Sequence, residues 1–241
     1  MGYGIAVVIL GLLILIHELG HLAAAKWAKI PIERFSVGFG PRLWGFKKSG
    51  TDYWLALIPF GGYVLPRVRD TKELSVFPLS RRVLFCLGGP AANIMAALVC
   101  LSVANSLIHG LSWTSTVTGP FLGLCTAAGQ IVSAIPVACK DPGNLSGIVG
   151  IVALAGQKIG TDIARLFIFA AFMNLNLAIF NMLPIPPLDG GRIAWSILER
   201  CCGSLTRWQT PAAITGWVFM AVLMCYTTAV DLRYLLFGLN G

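Results

Sequence analysis

Two histidines and a glutamate stand together inside an otherwise apolar stretch, Leu15-Ile16-His17-Glu18-Leu19-Gly20-His21-Leu22, and no charged side chain precedes them from Met1 to Ile16. A carboxylate buried in such a setting costs several kcal/mol unless something compensates it. On a helix His17 and His21 lie one turn apart on a shared face, the spacing at which two imidazoles hold one Zn2+. Glu18 projects beside them, placed to act as general base on a metal-bound water whose pKa zinc lowers to about 7. His109, the remaining histidine, lies next to Gly110 at the end of an apolar segment and reads as interfacial.

A catalytic zinc takes a third protein ligand and keeps an open position. Asp189 is the best candidate, an acid at the end of an apolar run that closes with Asn181-Met182-Leu183-Pro184-Ile185-Pro186-Pro187-Leu188-Asp189-Gly190-Gly191-Arg192. The following glycines let the backbone turn sharply. Asp-Gly is also a common turn pair, so Asp189 read alone is as much a turn residue as a ligand. The ligand role gains from its lying on the same side of the membrane as the histidine pair.

The elements that must position these residues are membrane spans. Of the 241 residues 56% are hydrophobic and 12% charged, against about 25% charged in soluble domains. The net charge of +8 does not point to nucleic acid, because the basic residues cluster. Lys26, Lys29, Arg34, Arg42, Lys47, Lys48, Arg67, Arg69, Lys72, Arg81 and Arg82 fall between two apolar segments, the pattern of a cytoplasmic loop. Base-stacking motifs with interleaved arginines are lacking. The seven cysteines are scattered without a CxxC pair, which supports neither a disulfide framework nor a thiolate zinc site. The N-terminus does not read as a removable signal.

The expected architecture is an α-helical polytopic membrane protein with about four core transmembrane helices and a membrane re-entrant β hairpin. It forms a single membrane-embedded domain over residues 1–241. The first span covers 1–27, the hairpin 31–66, the second span 83–108, the third 164–188 and the fourth 209–231. The hairpin is read from aromatic and β-branched alternation on either side of the turn Lys47-Lys48-Ser49-Gly50-Thr51-Asp52. Residues 111–160 are apolar but broken by Gln130, Pro136 and Lys140-Asp141-Pro142-Gly143-Asn144. They are expected to lie on the outer face as amphipathic or re-entrant helices, with two crossings as the alternative.

His17-Glu18-Leu19-Gly20-His21, Phe60-Gly61-Gly62-Tyr63-Val64, Gly88-Gly89-Pro90 with Asn93, and Asn181 through Gly191 occur in the order found in site-2 proteases. The chain resembles that family of intramembrane zinc metalloproteases, and most closely its bacterial members of the regulated-proteolysis type. The resemblance implies that His17, His21 and Asp189 bind one zinc and that Glu18 is catalytic. It implies that the hairpin holds an unwound substrate by strand addition, with Gly61, Gly62 and Tyr63 at the substrate, a mode that suits a peptide bond needing an extended backbone. Asn176 and Asn181 match asparagines placed near bound substrate. Amides there would hold the extended backbone or an oxyanion, or bond between helices. Many bacterial relatives carry PDZ domains between the second and third core segments, and 111–160 is too short for one.

The expected function is hydrolysis of peptide bonds within or near transmembrane segments of other membrane proteins, such as anti-sigma factors or signal-peptide remnants. The partners are those segments and the lipid bilayer, with no nucleic acid. The expected location is a bacterial inner membrane, multi-pass, with the active site towards the cytoplasm. The alternative is a catalytically silent zinc-binding scaffold or chaperone of the same fold, which would have no need of Glu18.

Overall fold

The computed structural model describes residues 2–67, 77–140, 162–202 and 208–237. Among them the chain forms α1 (Gly2–Trp27), β1 (Ile32–Lys48), β2 (Thr51–Pro66), α2 (Leu79–His109), a π-helical turn (Thr114–Thr118), α3 (Gly119–Lys140), α4 (Ile163–Asn181), α5 (Asp189–Cys201) and α6 (Gln209–Phe237). The chain is an integral membrane protein, as its composition requires. Among the described residues, five helices have the length and apolarity to cross a bilayer: Val8–Trp27, Leu79–His109, Thr114–Val137, Ile163–Asn181 and Gln209–Arg233. Four correspond to the expected spans. The fifth falls in the stretch expected to lie on the membrane face, because Gln130 and Pro136 do not interrupt the helix. The remainder of 111–160, from 141 onwards, lies outside the described residues.

Two compact units make up the chain. One comprises Met1–Ile9, Ala97–Phe172 and Thr210–Gly241. In it Ala97 and Ala104 of α2 are fully buried. Ser102 donates to the Thr116 carbonyl at 2.7 Å, tying α2 to the π turn. The other unit comprises Leu10–Ala96 and Met173–Gln209 and contains all the residues singled out for chemistry.

In this second unit the apolar core gathers Leu22, Ala25, Ala28, Ile30, Ile32, Phe35, Phe85 and Cys86. Helix α1 ends in a Schellman arrangement, with Ile30 N–H bonded to Ala25 O at 2.8 Å and Lys29 N–H to Lys26 O at 3.2 Å. Lys29 takes the left-handed position at φ 56°, where glycine is the usual residue, and Pro31 prevents the helix from resuming. Helices α1 and α2 meet backbone to backbone at Gly20 and Gly88. A Cβ on Gly20 would stand 2.6 Å from Ala92 Cβ, and one on Gly88 2.5 Å from the Gly20 carbonyl oxygen. Small residues at such a crossing let two spans pack without side chains between them.

The hairpin turns at Ser49-Gly50, both with positive φ (51° and 81°), the signature of a type I′ turn. Each long strand then folds on itself. Arg42–Lys48 pairs with Thr51–Ala56, while Ile32–Val37 pairs with Gly62–Pro66 and also lies against Asp52–Leu55. The bends fall at Gly38 and Gly40 (φ 91° and 88°) in β1 and Gly61 (φ 119°) in β2, positions that residues with a side chain rarely adopt. Among the described residues, Gly62–Pro66 is hydrogen-bonded on one side only.

Helix α4 stops at Asn181, seven residues short of the expected end of the third span at 188, and the connection contains a cis peptide at Pro186-Pro187. In the sequence Arg192, Arg200 and Arg207 read as a short basic loop, but Arg192 and Arg200 lie on α5. Arg207 lies outside the described residues.

Candidate metal centre

Three side chains converge within the second unit. His17 Nε2 lies 3.2 Å from Asp189 Oδ2, His21 Nε2 lies 3.2 Å from the same oxygen, and the two histidine nitrogens are 3.1 Å apart. All three residues are buried, at 6%, 5% and 5% exposure. The rings stand nearly perpendicular, with centroids 4.7 Å apart, so both Nε2 edges point to one spot. Three acceptor-capable atoms crowded in a dry site need a proton or a cation shared among them.

The donor set fits zinc. Ligands at about 2.0–2.2 Å in a tetrahedral shell stand about 3.3–3.6 Å from one another, within a few tenths of an ångström of the triangle here. Neutral imidazole and carboxylate are zinc ligands. The space in front of the triangle is kept open by Gly89, where a Cβ would come within 2.5 Å of His21 Nε2 and 2.6 Å of His17 Nε2.

Both imidazoles are also anchored from behind. His21 Nδ1 donates to the Phe85 carbonyl at 2.8 Å, which fixes its tautomer and leaves the Nε2 lone pair for a metal. Pro90, inside α2, has no N–H to donate to the Cys86 carbonyl. His17 Nδ1 lies 3.1 Å from Asn93 Nδ2.

Asp189 reaches the site from an unexpected place. It does not end the third span but opens α5, with Leu188 as the N-cap residue, and the helix dipole favours an anion in that turn. Burial by itself would raise the Asp189 carboxyl, but bonding to His17 and His21 outweighs it and holds the group below the usual carboxylate range. The glycines after Asp189 serve close packing instead of a sharp turn. Both lie inside the helix, and a Cβ on Gly191 would stand 2.5 Å from the Ile185 carbonyl oxygen and from Pro186 N. Gly190 is likewise pressed against Met182 and Leu183. The loop thus wraps over the first turn of α5 and seats Asp189.

Glu18 lies next to the triangle on the same turn of α1, half-buried. Gly62 of the hairpin covers it, since a Cβ there would stand 3.0 Å from Glu18 Cγ. Gly61 packs on the Phe39 ring. Tyr63 stacks on Phe39 at 6.3 Å between centroids, and its hydroxyl accepts from Arg34 at 3.5 Å. Asn181 is the last residue of α4 and Asn176 lies five residues before it, both half-buried. Neither is part of the triangle.

Ten residues along α5 from Asp189, Glu199 receives a 2.6 Å bond from Arg82 of α2, and both are buried. The sequence shows no sign of this pair, and it offers Gly89 and Asn93 only as part of a small-residue patch, 88–93, that permits close helix approach. A histidine's need for a partner on its second nitrogen was the signal for Asn93.

The sequence model of peptidase family M50 matches residues 5–225. The chain belongs to peptidase family M50. The resemblance to site-2 proteases and the expectation of a zinc metallopeptidase are met on this ground. Over 116 residues the chain is 40% identical to a Chlamydia pneumoniae protein named, provisionally, a zinc metalloprotease, covering 41% of this chain and 19% of that one. A Clostridium acetobutylicum protein of similar name is 22% identical over a 329-residue alignment, covering 95% of this chain and 97% of that one. Protease RseP of Yersinia pestis is 39% identical over 105 residues, 39% of this chain and 23% of that protein.

Proposed function

We propose that this M50 peptidase hydrolyses peptide bonds within or near transmembrane segments of other membrane proteins, with one zinc ion per chain held by His17, His21 and Asp189. The observation that carries the reading is the triangle of three donor atoms at 3.1–3.2 Å with Glu18 beside it. Zinc bound there acidifies water and withdraws charge from a carbonyl oxygen.

Glu18 takes a proton from the attacking water and returns it to the departing amine, so that the C–N bond breaks as a new C–O bond forms. The half-paired segment Gly62–Pro66 offers its free side to an extended substrate strand. Gly62 packs on Glu18, so a strand added there brings a peptide bond to the carboxylate. Gly61 and Tyr63 shape that edge. Asn176 and Asn181 hold the substrate backbone or the developing oxyanion. A helical segment entering the site must unwind, and main-chain pairing with the hairpin offsets part of that cost.

Substrates of this kind are the transmembrane segments of anti-sigma factors or signal-peptide remnants. The basic stretch from Lys26 to Arg82 faces the cytoplasm of a bacterial inner membrane. Lys26 lies in the last turn of α1, beyond His21, which supports a site near that face.

The test is metal removal from the purified full chain in detergent. Chelation is expected to abolish cleavage of a transmembrane reporter, and added zinc to restore it. Asp189→Ala should lose zinc while His109→Ala keeps it. Cleavage that survives complete removal of metal would overturn the reading.

A further inference from the structure

Asn93 sits on α2 with no solvent exposure, an expensive place for an amide unless both of its ends are bonded. Its Nδ2 lies 3.1 Å from His17 Nδ1, and its Oδ1 has no hydrogen-bond partner among the described residues. The orphan oxygen and the histidine nitrogen belong to one problem. His17 Nε2 is a corner of the ligand triangle, so a metal there takes the Nε2 lone pair and the ring proton must sit on Nδ1. An Nδ1–H facing an Nδ2–H sets donor against donor. Rotation of the carboxamide by about 180° exchanges its nitrogen and oxygen with little movement of heavy atoms. Oδ1 then accepts from Nδ1–H, and the orphan is removed. His21 already shows the same arrangement, with Nδ1–H donating to the Phe85 carbonyl at 2.8 Å.

We propose that Asn93 is the positioning residue of His17, its carboxamide oxygen accepting the Nδ1–H of His17 whenever Nε2 binds zinc. The bond fixes the ring plane and raises its basicity as a ligand. This inference rests on the zinc reading above.

The experiment measures zinc affinity by chelator competition on the detergent-solubilised full chain, comparing wild type with Asn93→Asp and Asn93→Leu. The carboxylate of Asn93→Asp can only accept, and its affinity is expected to stay within about threefold of wild type. Asn93→Leu has nearly the same volume but no acceptor, and should lose about 10–100-fold. Equal affinities for all three, or equal losses in both variants, overturn the proposal while leaving the zinc reading intact. Failure of the wild type to bind zinc overturns both.

If Asn93→Leu does not fold, nitrogen-15 NMR of the zinc-loaded wild type decides. A protonated His17 Nδ1 with no nitrogen–nitrogen coupling to Asn93 supports the proposal. A coupling across an Nδ2–H···Nδ1 bond contradicts it.

Discussion

Gly62 of the β hairpin lies directly on Glu18 of α1, so close that a single added carbon would stand 3.0 Å from Glu18 Cγ and 2.7 Å from the Ser36 carbonyl oxygen. The strand edge proposed to hold substrate and the proposed general base are therefore in van der Waals contact. Gly62→Ala must push the hairpin off Glu18 or displace the carboxylate. Misplacement of about 1 Å costs around 10²-fold in rate. Turnover of a transmembrane reporter should fall by about that factor while zinc content stays at wild-type level, because no ligand is touched. Unchanged turnover would dissociate the hairpin from the chemistry.

Gly89→Ala acts on the ligands themselves. Alanine is favoured over glycine within a helix by about 1 kcal/mol, so nothing in α2 itself resists the change. Its Cβ would nevertheless come within 2.5–2.6 Å of both ligand nitrogens. The variant should be at least as helical as wild type by circular dichroism and yet bind zinc at least tenfold more weakly by chelator competition. Wild-type zinc affinity in Gly89→Ala would mean that the metal lies elsewhere.

Arg82 and Glu199 join α2 to the helix that carries Asp189 through a buried 2.6 Å bond. Removing one member strands the other charge, at a cost of about 3–5 kcal/mol, whereas replacing both by apolar residues is often neutral. Arg82→Leu and Glu199→Leu should each lower the denaturation midpoint in detergent, and the double variant should recover most of the loss. Additive losses would show that the two residues act separately.

The histidine pair was legible because helical periodicity alone puts positions 17 and 21 on one face, and polar groups stand out in an uncharged span. The turn at Ser49-Gly50 was legible from its residue types. Asp189 was found as a residue but misplaced as an element. Proline and glycine density marks a break, yet does not say whether the aspartate ends one helix or begins the next. Nor did it reveal that Gly190 and Gly191 exist to admit the 182–186 loop. Asn93, Gly89 and the pair of Arg82 with Glu199 depend on how α2 packs against α1 and α5. The two members of that pair are separated by 117 positions, and no local pattern links them. Helix α3 has the length and apolarity of a span because Pro136 falls near its end, where a helix tolerates interruption better than at its centre.

In the proposed reaction Glu18 carries the proton, and Glu18→Gln isolates that role from metal binding. The substitution keeps shape and removes the base. Zinc content and reporter cleavage should be measured on the same purified preparation. The expected result is one zinc per chain, as in wild type, with cleavage reduced by about 10²–10⁴-fold, the usual contribution of a positioned general base. Cleavage at the wild-type rate with zinc retained would mean that Glu18 is not the base.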